Sequence, residues 1–178
     1  MIFSAIFLAM AASPQTAMPT EGLLTIENLD CISSQVSADK AQTYAAMMRK
    51  GEEVEAFESV KELADSCQAR NGWSDIQTRG AFRVVLMDGW MLEEGLMKQI
   101  QELGDFKPFL DQFYTDNVKS TGRHILKDAF LSGKMDKALS AKGYPEDQDL
   151  RELVYNYWEW RGTLYDIEED FRNDELRR

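Results

Sequence analysis

Apolar residues recur every three or four positions along most of this chain, and glycine or proline interrupts the pattern at short intervals. This period is typical of amphipathic α-helices. The most regular example covers residues 145–176. Its apolar seam takes alternating steps of three and four, at Leu150, Leu153, Tyr157, Trp160, Leu164, Ile167 and Phe171. We expect this long helix to turn its seam toward the core of its own domain rather than toward a second chain.

The central segment, residues 75–103, has two possible structures. Ser74 and Gln77 have the spacing of a capping box, which predicts a helix that ends at Gly104. Its middle, residues 82–92, is apolar on nearly every side, but the Asp88-Gly89 pair between two apolar runs is also typical of a β-hairpin. The second run is short and the flanks are helical in character, so a buried central helix is the better interpretation.

Shorter helical segments are expected at residues 23–32, 37–51, 52–72, 108–114, 125–130 and 135–143, most of them bounded by a glycine, a proline or a capping serine. No segment repeats another. Together these patterns predict an all-α fold, a compact irregular bundle of five to seven helices that wraps around residues 75–103. A single domain over residues 20–178 agrees with this length.

The first nineteen residues differ from the rest because they carry no charged side chain and contain an apolar run, Ile2 to Ala12. This pattern is typical of a secretory signal peptide, although no Lys or Arg precedes the run. The run is too short to span a bilayer, which takes roughly 20 apolar residues. We therefore expect cleavage between Ser13 and Thr20, export to the periplasm or medium, and no stable membrane insertion afterwards.

The chain has two cysteines, Cys31 and Cys67, and both follow the predicted leader. In an oxidising compartment we expect them to form a disulfide, worth roughly 4 kcal/mol in the chain-entropy model. In the cytosol they would instead be two buried thiols.

The formal net charge of −11 argues against nucleic acid or an anionic membrane as the partner, because both require clustered Lys and Arg. Basic proteins, cations or solubility alone remain compatible with such acidity.

Two features of the last helix suggest a binding surface. Val154, Trp158 and Tyr165 form a second apolar stripe beside the seam, about 120° away. Such a helix is either packed between other helices or exposes one face to a partner.

Asp166, Asp170 and Asp174 stand four residues apart on the remaining side of this helix. Like charges at this spacing near a helix C-terminus are destabilising, so a counter-charge is expected. Arg172, which forms a favourable i,i+4 pair with Glu168, is one local source of positive charge. This face is then solvated, and the alternative is that it binds a basic partner.

Catalytic and cofactor motifs are scarce. The one histidine, His124, cannot build a multi-histidine metal site, and the chain has no Walker loop, dinucleotide fingerprint, nucleophile elbow or Cys-x-x-Cys. We predict no cofactor, no metal and no assigned catalytic residue. Arg83 and Asp88, the polar residues within the central apolar stretch, are each expected to find a partner of their own.

Two functions fit these observations. The first is a non-enzymatic interaction module that binds a protein partner, or itself, through Trp158, Tyr165 and the aspartates of the last helix. The second is an envelope enzyme or small-ligand binder with a pocket between helices that uses Glu93, Arg83 or His124.

The leader prediction can be tested by intact-mass analysis of the protein recovered from the periplasm or the medium. We expect a mass that lacks residues up to a point between Ser13 and Thr20, reduced by two further hydrogens for the disulfide. A full-length chain inside the cell with both thiols free would contradict this expectation.

Overall fold

In this computed structural model the chain folds into helices, and the structure describes residues 19–20, 23–103, 106–117, 133–144 and 147–174. Within these ranges there are eight α-helices and one 3₁₀ turn, Ser33–Gln35, but no strand. The helices are α1 (Ala38–Arg49), α2 (Glu53–Glu58), α3 (Lys61–Asn71), α4 (Asp75–Glu93), α5 (Leu96–Glu102), α6 (Phe106–Asn117), α7 (Lys134–Ala141) and α8 (Gln148–Asn173). The all-α class is confirmed.

The central segment is helical, so the hairpin alternative is wrong. The capping box forms as expected: the Gln77 amide donates to Ser74 Oγ at 3.0 Å, and the Ser74 amide donates to Gln77 Oε1 at 3.0 Å. The predicted single helix is interrupted at Gly95, whose φ of 64° lies in the left-handed region. It therefore becomes two helices, α4 and α5.

A similar break divides residues 52–72 into α2 and α3. Val60 departs from helical geometry with a φ of −113° and a ψ of 8°, and its amide donates to the Phe57 carbonyl, three residues back, at 3.0 Å. These two breaks explain why the described residues contain eight α-helices instead of five to seven.

The predicted helical piece at residues 23–32 is a series of turns, with Asn28 in the left-handed region at a φ of 64°. That conformation cannot continue a right-handed helix. The piece predicted at residues 125–130 lies outside the described residues.

The last helix buries its whole predicted seam in the core of the same chain, which confirms that interpretation. Asp147 caps its N-terminus by accepting from the Asp149 amide at 3.0 Å, and Asp174 ends it with a φ of 54°. Because α8 contacts α4, α5 and α6, it is packed between other helices over most of both apolar faces.

Helix α1 lies against α4, and Gly89 makes the close approach possible. A methyl group at Gly89 would overlap the carbonyl group of Ala41 and come within 3.0 Å of the Ala45 side chain. Since the main obstacle is backbone, it cannot move aside as a flexible side chain could.

The N-terminal segment is attached to the bundle at three places. The predicted disulfide joins Cys31 to Cys67 of α3, with their Cα atoms 6.0 Å apart. The buried Glu168 of α8 accepts from the amide and hydroxyl of Thr25 and from the Ile26 amide. A third attachment, Thr20 to α4, is described with the site below.

Within the part of the chain that the structure describes, no helix is both long enough and apolar enough to cross a bilayer.

The close approach at Gly89 predicts a large loss of stability for Gly89→Ala. We expect about 2–4 kcal/mol less free energy of unfolding, because α1 and α4 must separate to admit the methyl group. Urea unfolding followed by circular dichroism measures the change.

Gly80→Ala is the matched control in the same helix. Its added methyl would lie 3.7 Å from the Phe171 ring, an ordinary contact, and alanine favours helix by up to about 1 kcal/mol. We expect Gly80→Ala to be neutral or stabilising. Equal losses in the two variants would show that the approach of α1 is not the cause.

Candidate functional site

The predicted apolar binding stripe of the last helix is mostly covered. Trp158 is 1% exposed, stacks on Phe113 of α6 with ring centroids 4.7 Å apart, and donates its indole N–H to the Leu110 carbonyl at 3.3 Å. Val154 is fully buried, whereas Tyr165 is partly exposed and donates its hydroxyl to Glu169 at 3.0 Å. Trp158 therefore contributes to the core and presents no surface to a partner.

The predicted aspartate ladder is also divided among different environments. Asp170 is buried and accepts from Arg83 of α4 at 3.1 Å, while Asp174 accepts from the Ser74 hydroxyl. Asp166 is partly buried and has interactions of its own. The counter-charge that the sequence pattern required thus comes, for Asp170, from another helix.

The predicted pair of Glu168 with Arg172 forms at 3.7 Å. Arg172 also donates to the Thr25 hydroxyl at 2.8 Å. This end of α8 therefore holds the N-terminal segment and is not an unoccupied acidic face.

A pocket of about 170 Å³ lies between α2 and α4. Its lining residues follow helical spacing on one face of each helix: Glu53, Val54 and Phe57 from α2, and Arg79, Phe82 and Arg83 from α4. The rings of Phe57 and Phe82 meet edge to face, with centroids 5.3 Å apart. An engineered apolar cavity of about 150 Å³ binds benzene, so this pocket can hold one six-membered ring or a branched aliphatic group.

Arg83 is one of the three residues named for an interhelical pocket, and the structure places it in this one. Its guanidinium is committed to Asp170, whose side chain is only 2% exposed. Loss of this partner would leave the Asp170 carboxylate buried and unpaired, which strongly destabilises a fold. Arg83 is therefore held in place in the pocket wall, and Asp170 neutralises its charge.

Arg79 lies one helical turn before Arg83 and is not committed in this way. Its guanidinium carbon is 5.1 Å from the centre of the Phe57 ring, an arrangement that holds the cation at the pocket rim. Among the described residues no carboxylate lies within 4.0 Å of it. Arg79 can therefore offer its charge to a ligand.

The other two residues named for this kind of pocket are not part of it. Glu93 pairs with Arg49 at the far end of α4, where both side chains are substantially exposed. His124 lies outside the described residues. The structure brings neither one to Arg83.

Asp88 is the most strongly perturbed carboxyl group that the structure describes. It is fully buried in α4 and accepts from the Thr20 amide at 2.9 Å and from the Thr20 hydroxyl at 2.7 Å. Burial raises the pKa of Asp88 to about 7, and the two bonds from Thr20 lower it in part. As expected, Asp88 has a partner of its own, which attaches the N-terminal segment to the central helix.

A second polar network joins α6 to α8 around Asp111. This carboxylate accepts from the Tyr157 hydroxyl and from Lys107 Nζ, the latter at 2.7 Å. Burial raises the pKa of the Tyr157 hydroxyl well above its usual range and that of Tyr114 to about 12. Both phenols therefore stay protonated near neutral pH and tie the helices together.

Sequence reasoning missed most of the pocket. Val54 lies in the helical segment predicted over residues 52–72, and its side chain is 67% exposed and lines the pocket. Apolar periodicity does not show that α2 ends at Glu58 as a short separate helix. A signal was present in Arg79 and Arg83, two cations four residues apart beside an apolar stretch of an acidic chain.

No group of three or more His, Cys, Asp or Glu side chains in the described ranges is placed to hold a metal ion. Comparisons with protein-family models, with curated proteins and with solved structures found no match for this chain.

The burial of Asp88 predicts a specific pH dependence of stability. Its pKa is higher in the folded chain than in the unfolded chain, where it is about 3.8, so the folded state keeps a proton that the unfolded state loses. The contribution of Asp88 to stability is therefore greatest below about pH 4 and declines as the pH rises to about 7.

Asp88→Asn removes this titration and keeps partners for Thr20. Relative to the unchanged protein, we expect its stability to gain on the order of 4 kcal/mol between pH 4 and pH 8. Urea unfolding across this range measures the difference, and Asp65→Asn, at an exposed position, controls for the loss of one charge. Parallel stability curves for Asp88→Asn and the unchanged protein would contradict the prediction.

Proposed function

We propose that this protein is an exported, non-enzymatic binding module whose pocket between α2 and α4 holds the apolar group of a small ligand. The observation that carries the proposal is the pocket itself, a 170 Å³ space with two phenylalanine rings and two arginines on its walls. Apolar walls with a few convergent polar groups are characteristic of small-molecule sites.

The residues of the pocket are suited to binding rather than to acid–base chemistry. Guanidinium groups keep their protons in proteins, so Arg79 and Arg83 can orient a negative group but cannot take up a proton from it. Glu53 is the one carboxylate among the lining residues, and no Ser, Cys, His, Lys or Tyr lines the pocket beside it to form a nucleophile–base pair. Binding is therefore the function that this lining supports best.

The last helix supports a docking function less well than the pocket does. A docking face needs exposed apolar area, but Val154 and Trp158 are in the core and Asp170 is paired with Arg83. A small ligand can enter the pocket without any change in these contacts. The pocket is already open at Val54, whose side chain is exposed.

The disulfide supports the exported part of the proposal. Such bonds persist in oxidising compartments and are rare in the cytosol. Cys31 and Cys67 are joined across the fold, which is the arrangement that an exported domain uses to fix its N-terminal segment.

Val54→Asp tests the pocket. A carboxylate at the apolar rim would disfavour a ring inside it, since a charge resists desolvation. We expect benzyl alcohol, a neutral ring probe, to shift the NMR amide signals of α2 and residues 79–83 in the unchanged protein. In Val54→Asp these shifts should be lost or need at least about fivefold more probe.

Leu103→Asp is the matched control, because it also replaces an exposed apolar residue but follows α5, away from the pocket lining. It should leave the shifts unchanged. The pocket is not a binding site if the probe shifts no signal there, or if both variants respond like the unchanged protein.

A further inference from the structure

Two opposite charges line the pocket without neutralising each other. Glu53 on α2 and Arg79 on α4 both belong to its lining. In the described part of the chain neither one has an ion-pair partner within 4.0 Å, and they do not pair with each other. Arg83 adds no net charge, because Asp170 compensates it. The lining therefore contributes one positive and one negative side chain beside the apolar Val54, Phe57 and Phe82.

This distribution of charge selects against ligands with one charge. A carboxylate that approached Arg79 would gain an attraction but would be repelled by Glu53, and an amine that approached Glu53 would meet the converse. A ligand that carries both an ammonium and a carboxylate has one group to be attracted by each of these side chains. Its charged groups can remain at the hydrated rim, so neither one loses its water completely.

The volume of the pocket limits the apolar part of such a ligand. About 170 Å³ holds a phenyl ring or a branched four-carbon group, but not a fused ring system or a long alkyl chain. The walls of Phe57 and Phe82 provide aromatic faces and edges, which favour a ring in offset or edge-to-face contact.

We propose that the pocket binds a free α-amino acid with an apolar side chain the size of that of phenylalanine or leucine. The side chain enters between α2 and α4, the carboxylate meets Arg79 and the ammonium meets Glu53. This inference rests on the proposed small-ligand function and specifies the chemistry that the site selects.

The test compares four probes on the oxidised protein as exported, at low ionic strength, where rim charges are least screened. L-phenylalanine carries both charges, 3-phenylpropanoate only the carboxylate, phenethylamine only the ammonium, and benzyl alcohol neither. Dissociation constants come from NMR titration of the amide signals of α2 and residues 79–83. We expect L-phenylalanine to bind most tightly, by about threefold to fivefold over each singly charged probe.

Two charge-removing variants assign each end of the ligand. Arg79→Gln should weaken L-phenylalanine and 3-phenylpropanoate by about threefold to fivefold and leave phenethylamine unchanged or tighter. Glu53→Gln should weaken L-phenylalanine and phenethylamine to a similar degree and favour 3-phenylpropanoate. Lys98→Gln, whose side chain is 81% exposed on α5, is the control and should change none of the affinities.

Each outcome decides between the two proposals. If no probe shifts the pocket signals, the small-ligand function itself fails. If benzyl alcohol or a singly charged probe binds as tightly as L-phenylalanine, or if neither variant distinguishes the probes, the pocket binds apolar groups but the amino-acid inference is overturned.

Discussion

The burial of α4 on nearly every side is the constraint on which the rest of the structure depends. A buried polar group must find a partner, so three polar side chains on this helix determine the positions of other elements. Arg83 fixes α8 through Asp170, and Asp88 fixes the N-terminal segment through Thr20. Gln77 donates to the Phe171 carbonyl at 3.1 Å, which holds the end of α8 near the start of α4. Gly89 removes a side chain where α1 lies closest.

The pocket is a consequence of the same packing. Arg83 must point toward α8 to satisfy the buried Asp170, and it thereby forms one wall beside Phe82. Helix α2 is a separate short helix that covers this part of α4 only in part, as the exposure of Val54 shows. Arg83, which the fold requires, therefore borders the space between the two helices. Arg79 and Glu53 border it too, and neither one has an ion pair among the residues that the structure describes.

Local patterns in the sequence predicted the features that depend on local chemistry. Residue spacing predicted the heptad-like seam of α8 and the capping box at Ser74. The expected oxidising compartment predicted the disulfide. The partner of Asp170 could not be predicted in this way, because Arg83 is 87 residues away along the chain. The breaks at Ser59 and Gly95 were missed because apolar periodicity continues through both of them. The pocket is lined by residues of both α2 and α4, and periodicity within one helix does not show which helices meet, so it too was beyond prediction from periodicity.

The acidity of the whole chain bears on which ligand can reach this pocket. A net charge of −11 creates a negative field around the molecule, which lowers the encounter rate of anions over roughly one Debye length, about 8 Å at physiological ionic strength. A free carboxylate therefore meets repulsion before it reaches Arg79. A zwitterion carries no net charge and avoids most of that repulsion, yet it can still use Arg79 and Glu53 at short range. The long-range field thus disfavours anions, and the charge of Arg79 at short range disfavours cations.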